Sequence, residues 1–211
     1  MKASMYKIDC MGCGLSCKID CENKTERPHC TERKFSVWPT GNYYFKRAVN
    51  DLVFKTLPCF LPNGVIIVDF SMDNILHFLN GQWIEKLEST GLKIILAVEK
   101  SMLSMANFWM QRSSVLWSVV VVNGGVGSFV EKIKRVLSGR TLKSRRLPSL
   151  TEHEMTTLRL LADGHSNQDI ARVMACDARN VYRFQYSLCK KLGGMDRLRE
   201  LRFKHPTIAP G

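Results

Sequence analysis

The chain has 211 residues, of which 45% are hydrophobic and 24% charged, and 31 lysines and arginines against 19 aspartates and glutamates give a formal net charge of +12. This composition excludes a disordered chain and leaves room for two small domains. No run of about 18 apolar residues occurs, so we expect a cytoplasmic protein without a membrane span. The basic excess suits a nucleic-acid partner, although a solvated face or an anionic membrane surface would fit the same totals.

Cysteines are concentrated near the start of the chain, at Cys10, Cys13, Cys17, Cys21 and Cys30, with His29 beside the last. Spacings of three and four can bring thiolates together around a tetrahedral metal ion, but this spacing fits no standard metal motif. No secretory signal precedes them, so reduced thiols are expected. We interpret residues 1–34 as a cysteine-rich arm and predict no metal and no cofactor. A metal or redox sensor stays open as an alternative, and Cys59, Cys176 and Cys189 are predicted to be packing residues.

The middle of the chain alternates between strand and helix patterns. Continuous apolar, β-branched runs are typical of buried parallel strands. The predicted strands are Phe35–Trp38, Gly64–Phe70, Lys93–Val98 and Leu116–Val122, and the predicted helices are Tyr43–Phe54, Asn74–Leu87, Met102–Gln111 and Ser128–Leu137. The alternation predicts a doubly wound α/β domain over residues 35–139.

A basic segment separates this domain from three short helices. Residues 140–149 carry four basic side chains and Pro148 without an apolar period, which indicates a linker that can also touch the DNA backbone. Thr151 and Glu154 then form the pattern of a capping box. Gly164 marks the end of this helix, and Ser166 and Asp177 are predicted caps for two further helices.

The third of these helices has two distinct faces. The predicted helix-turn-helix core comprises Ile170, Ala171, Val181 and Leu188, with Phe184 also turned inward. The predicted DNA contacts on the opposite side are Arg179, Asn180, Tyr182, Arg183, Tyr186 and Lys190. Two helices joined by a tight turn seat the second in the major groove, where an arginine fork can bond guanine O6 and N7 together. A solvated basic face, with tyrosines packed on neighbouring side chains, is the open alternative.

The same residues carry a family pattern. They are Leu150, Thr151, Glu154, Leu158, Ala162, Gly164, Asn167, Ile170 and Ala171 in one unbroken register, followed by Val181, Lys191 and Leu192. This segment resembles the C-terminal DNA-binding domain of the LuxR/FixJ/NarL regulators, which implies an all-α helix-turn-helix domain over residues 150–211 that binds double-stranded DNA. Tyr182 and Phe184 stand where the family usually has lysine and histidine, so the operator sequence is expected to differ.

An α/β domain placed before such a segment resembles the receiver domain of response regulators. Asp69, at the end of a predicted strand, matches the position of the phosphorylated aspartate. Phosphoryl transfer to a carboxylate requires a metal held by acidic side chains, and the residues around Trp38 and Thr40 include no carboxylate. We therefore predict that Asp69 is structural and that phosphorylation is not the switch.

A degenerate receiver before an intact helix-turn-helix resembles the auxiliary regulators of enterobacterial capsule and fimbriae of the RcsA, MatA and RmpA type. The segments Tyr43–Lys46 and Ala106–Trp109 carry this resemblance. It implies an activator of surface-structure and virulence genes, acting as a homodimer or as a heterodimer with a response regulator.

The last predicted helix begins after Asp196 and repeats Leu198 and Leu201 at a spacing of three. In the resembling family, the helix at this place joins two DNA-binding domains, which makes these leucines the predicted dimer interface. Packing onto the domain's own core is the alternative.

An enzyme is not expected. The glycines from Gly124 to Gly127 lack the lysine of a phosphate-binding loop, and no hydrolase triad occurs. A co-regulator that acts by binding a partner regulator without touching DNA remains the second functional hypothesis.

Overall fold

The computed structural model describes residues 8–11, 18–19, 34–54, 64–139 and 148–194. Near the start, β1 (Ile8–Asp9) pairs antiparallel with β2 (Lys18–Ile19). The main sheet is parallel, in the order β3-β4-β5-β6, and consists of β3 (Phe35–Trp38), β4 (Val65–Phe70), β5 (Lys93–Glu99) and β6 (Leu116–Val122). Every residue of β4 is buried, as expected of a continuous apolar run covered on both faces.

Helices cover both faces of this sheet. α1 (Tyr43–Val49) and α4 (Gly125–Leu137) pack on one face, and α2 (Gln82–Glu88) and α3 (Leu103–Met110) pack on the other. A π-helical turn, Asn50–Phe54, continues α1. The predicted doubly wound α/β architecture is therefore confirmed.

The single helix predicted over Asn74–Leu87 is wrong. A 3₁₀ helix, Met72–Phe78, comes first, and α2 starts only at Gln82. The cause is local, because the side-chain oxygen of Asn80 accepts a hydrogen bond from the Gln82 backbone N–H at 3.1 Å and begins a new helix. A second short 3₁₀ helix, Lys100–Met102, leads into α3.

The start of the described chain belongs to the fold. Ile8 and Cys10 are buried in the main core. The Met11 N–H donates to the Phe35 carbonyl at 2.7 Å, and the Ser36 hydroxyl donates to the Asp9 carbonyl at 2.8 Å. The interpretation of residues 1–34 as a separate arm is therefore wrong for residues 8–11. Cys13, Cys17, Cys21, Cys30 and Cys59 lie outside the described residues.

The described part of the C-terminal domain, residues 150–194, contains three helices: α5 (Glu152–Ala162), α6 (Asn167–Val173) and α7 (Ala178–Leu192). The predicted capping box is confirmed, since the Thr151 hydroxyl accepts from the Glu154 N–H and the Glu154 carboxylate accepts from the Thr151 N–H. Ser166 caps α6 through the Asp169 N–H. Asp177 occupies the cap position of α7, but its side chain makes no capping hydrogen bond in the described part of the chain.

The two domains share one buried cluster. From the C-terminal domain it includes Leu150, Met155, Leu158, Ala162, Leu188, Cys189 and Leu192, and from the N-terminal domain it includes Met102 and Met105. Polar contacts reinforce it, because the Leu150 N–H donates to the Ser104 carbonyl and the Asn107 amide donates to the Pro148 carbonyl, each at 3.1 Å. Residues 148–149, predicted as linker, are thus held in place, and residues 140–147 lie outside the described chain.

No helix in the described ranges combines the length and the apolar character that crossing a bilayer requires.

Candidate nucleic-acid interface

The two faces of α7 differ sharply in exposure. Arg179, Tyr182, Arg183, Tyr186 and Lys190 are all exposed on one side, with Tyr182 60% and Tyr186 73% accessible. These positions follow one another at three- and four-residue steps, so a single helix face carries them all. Asn180 is half-buried at the edge of this face. The structure thus brings the predicted contact residues together, and their binding to DNA stays a prediction.

The opposite face of α7 is held by a buried ion pair with α5. The Lys191 ammonium donates to both oxygens of Glu154, at 2.8 and 2.7 Å, and to the Ser149 carbonyl at 2.9 Å. The Ser187 hydroxyl donates to the same carboxylate. Glu154 is only 3% exposed, so one buried carboxylate joins the start of α5, the end of the linker and the last turns of α7.

The pKa of Glu154 reflects two opposing effects. Burial raises it, but hydrogen bonds from Lys191, Ser187 and the Thr151 backbone outweigh burial and bring the pKa below the ordinary 4.5. The carboxylate is therefore ionised at neutral pH. Its contribution to stability is present above the unfolded-state pKa and is lost as the pH falls through the lower folded-state pKa.

The contact between α6 and α7 uses both polar and apolar groups. The Gln185 amide donates to the Asn167 side-chain oxygen at 2.7 Å. Ile170, Ala171 and Val181, predicted as helix-turn-helix core, are buried in a small cluster of this domain. Leu188, the fourth predicted core residue, packs in the cluster shared with the N-terminal domain. Its role therefore extends beyond the helix-turn-helix.

A contact that the sequence did not reveal lies between α5 and α7. His153 and Phe184 stack with ring centroids 5.3 Å apart and 16° between the ring planes. His153 is exposed and Phe184 is half-buried, so Phe184 turns only partly toward the core. Hydrophobic periodicity cannot show such a pair, because the two residues belong to different helices.

Asp69 lies at the end of β4, as predicted, and is only 4% exposed. Its carboxylate accepts from the Asn42 amide at 2.9 Å, and its backbone carbonyl accepts from the Asn74 amide at 3.1 Å. Burial raises the pKa of Asp69, and hydrogen bonds from Asn42, Ser71 and Asn74 oppose that rise in part. The side chain thus serves as a hydrogen-bond acceptor that joins the loop after β3 to the end of β4.

The neighbouring strand end carries another carboxylate that accepts hydrogen bonds. Glu99, the last residue of β5, accepts from the Met72 N–H at 3.0 Å and from the Ser101 hydroxyl at 2.7 Å. Ser101 in turn lies close to Gly193 in the C-terminal domain. In the described ranges, no three His, Cys, Asp or Glu side chains converge as a metal site.

Residues 9–137 match the family described as the EcpR N-terminal domain, and residues 148–200 match the bacterial regulatory proteins of the luxR family. The chain is 31% identical over 192 residues to the uncharacterized protein YqeH of Escherichia coli strain K12, covering 90% of this chain and 91% of that protein. The match to the luxR family confirms the predicted helix-turn-helix domain of LuxR type.

Similar solved structures are of RcsB. One, of two RcsB dimers bound to two parallel DNAs, is 15% identical, with 67% of this chain and 75% of that chain covered and a TM-score of 0.36. Another, RcsB of Salmonella typhimurium, is 17% identical, with 70% and 79% covered and a TM-score of 0.26.

Proposed function

Because the chain belongs to the family that joins an EcpR N-terminal domain to a LuxR-type DNA-binding transcription-regulator domain, we propose that it is a cytoplasmic, sequence-specific transcriptional activator. Its proposed targets are surface-structure genes, for capsule or fimbria, with a role in virulence. The predicted DNA contacts are Arg179, Asn180, Tyr182, Arg183, Tyr186 and Lys190. Lysine and arginine neutralise phosphates and arginine recognises guanine, so this set combines backbone contact with base recognition.

The observation that carries the proposal is the accessibility of α7 while both domains are packed together. The C-terminal domain contacts α3 through the buried cluster that contains Leu188 and Leu192, whereas Tyr182 and Tyr186 stay exposed. A DNA duplex therefore meets the outer face of α7 without prior separation of the domains. The Arg112–Glu152 ion pair and the bond from Asn107 to Pro148 hold this arrangement.

We propose that the protein binds DNA as a homodimer, or as a heterodimer with a response regulator. Two copies related by a two-fold axis match two half-sites about one DNA turn apart. The predicted interface residues, Leu198 and Leu201, lie outside the described residues, so sequence spacing and family resemblance are their support.

We further propose that a signal other than phosphorylation of Asp69 controls the activity of the protein. The loop that follows β3 faces Asp69 with the amide of Asn42, and its residues Pro39–Asn42 include no acidic side chain. An amide donor stabilises a carboxylate but does not hold Mg²⁺ as a carboxylate pair does. Asp73 is the acidic neighbour that acts on Asp69, and it lies in the 3₁₀ helix after β4.

Replacing Asp69 tests this part directly. Asp69→Asn is expected to leave DNA affinity and promoter output unchanged, and acetyl phosphate is expected not to label the wild-type protein. Because burial raises the pKa of Asp69 in the folded state, the contribution of this group to wild-type stability is lost as the pH rises through the folded-state pKa. The melting temperature of Asp69→Asn should therefore rise relative to that of the wild type as the pH increases. Labelling of Asp69, or loss of activity in a folded variant, would refute the non-phosphorylated switch.

Arg183→Ala tests the direct contact with DNA. A bidentate arginine contributes about 1–3 kcal/mol of base discrimination, so affinity for an operator selected from random duplexes with the full-length protein should fall roughly tenfold or more. Fluorescence anisotropy with labelled operator measures this loss. The matched control is Arg135→Ala, which removes an exposed arginine from α4 in the other domain. Equal affinity losses in both variants would show that only net charge matters.

A co-regulator that acts through a partner protein is the second candidate. Tyr43 and Tyr44, which are 62% and 84% exposed at the start of α1, favour it because exposed adjacent aromatic side chains are common at protein interfaces. Under this alternative Arg183→Ala leaves promoter activation intact, whereas removal of both aromatic rings abolishes it. The same two sets of variants therefore separate the two functions.

A further inference from the structure

His153 occupies the first turn of α5 and connects that helix to the border of the exposed face of α7. Its ring stacks on Phe184, which directly follows Arg183 in α7. Stacking restricts the conformations of the imidazole side chain, while its exposure to solvent leaves the ring accessible to a ligand. The stack thus holds an exposed, ionisable side chain of α5 against α7, the helix that carries the predicted DNA contacts.

A helix in the major groove is bordered by phosphates on both sides, and half to two-thirds of protein–DNA hydrogen bonds go to phosphate and sugar. We propose that His153 is a phosphate-binding residue of this interface and that its protonated form adds one cation to the DNA contact. The inference rests on the proposed function and deepens it, because operator affinity would respond to pH through a residue of α5 rather than through α7.

The carboxylates next to His153 do not offer it a competing partner. Glu152 is bound by Arg112 from the N-terminal domain. Glu154 points into the domain and is bound by Lys191, Ser187 and the Thr151 backbone. On α7, Arg183 is the cationic residue next to Phe184 in the sequence, and Lys191, two turns further along the helix, is bound to Glu154. The phosphates of DNA are therefore the anionic groups with which we expect a protonated imidazole at this position to pair.

Imidazole changes its charge between about pH 5 and pH 8, and a nearby anion favours the charged form. Binding should therefore tighten as the pH falls through this range. Each phosphate contact contributes about 0.9 to the slope of log affinity against log salt, so the slope should be steeper by about that amount at the lower pH. Over a fourfold change in salt, the extra slope amounts to roughly threefold in affinity.

The test uses the full-length protein and a fluorescein-labelled duplex of about 40 base pairs of mixed sequence, titrated at several salt concentrations near pH 6 and near pH 8. His153→Phe keeps a stacking ring but removes the charge, and His153→Arg keeps a charge at both pH values. His165→Phe is the matched control, since His165 is exposed in the turn between α5 and α6. Circular dichroism melts verify that all three variants are folded.

Wild type and His165→Phe are expected to share the steeper salt slope near pH 6. His153→Phe should have the shallow slope at both pH values, and His153→Arg should have the steep slope at both. A purely structural stack would instead leave His153→Phe like wild type, which overturns the inference while the proposed function stands. Failure of wild type to bind the duplex at any pH would overturn the proposed function, and this inference with it.

Discussion

Lys191→Met is expected to lower the free energy of unfolding by about 3–5 kcal/mol, because it leaves the buried Glu154 carboxylate without its cation. Lys191 is mostly buried and bonds both carboxylate oxygens, and the Glu154 side chain is only 5% exposed. Urea unfolding followed by far-ultraviolet circular dichroism measures the change. The exposed neighbour Lys190 provides the matched control, and Lys190→Met is expected to weaken DNA binding but to leave the unfolding midpoint unchanged.

The pH dependence of the same variant checks the cause. Without Lys191, burial dominates and the pKa of Glu154 should rise, so the variant regains relative stability when acid protonates the carboxyl. The wild type loses the contribution of its ion pair as pH falls. The stability difference between the two proteins should therefore shrink toward acid pH. A difference that stays constant with pH, or a Lys190→Met variant that is equally destabilised, would contradict the assignment.

Leu188→Ala is expected to destabilise the whole chain by about 2–5 kcal/mol, since Leu188 is fully buried in the cluster that both domains share. The four tryptophans of the sequence, at positions 38, 83, 109 and 117, all lie in the N-terminal domain. Their fluorescence in urea reports on that domain, although the substitution is in α7. We expect the tryptophan-monitored midpoint to shift to lower urea together with the helical signal.

The comparison variant for this experiment is Ile170→Ala, which creates a similar cavity inside the small cluster of the C-terminal domain. Leu188→Ala should shift the tryptophan transition at least as far as Ile170→Ala does. If Leu188→Ala changed only the helical signal and left the tryptophan transition in place, the shared cluster would not couple the domains.

Local patterns in the sequence predicted much of this fold. The strand β6 and the capping box at Thr151 match the prediction residue for residue, because periodicity and capping depend on neighbours a few positions apart. The two faces of α7 follow from the same principle, with Val181 buried and Arg183 exposed. These are the features from which the DNA-binding surface was predicted.

Contacts between segments that are distant in the sequence could not be predicted from local patterns. Asn107 bonds the Pro148 carbonyl across 41 positions, and Lys191 bonds Glu154 across 37. Polar side chains that meet only after folding leave no periodic signal along the chain. The insertion of Ile8 and Cys10 into the core was missed for a related reason, because β1 spans only two residues, which is too short to show alternation.

The central claim is that the outer face of α7 selects DNA sites, and a genome-wide occupancy map of wild type and Arg183→Ala, each expressed at equal level in the native cell, tests it most directly. The wild type is expected to occupy discrete promoters that share a sequence motif, including those of surface-structure genes, and Arg183→Ala is expected to lose those sites while remaining folded. Identical occupancy of the same promoters by both proteins would contradict the claim and assign promoter association to a partner regulator.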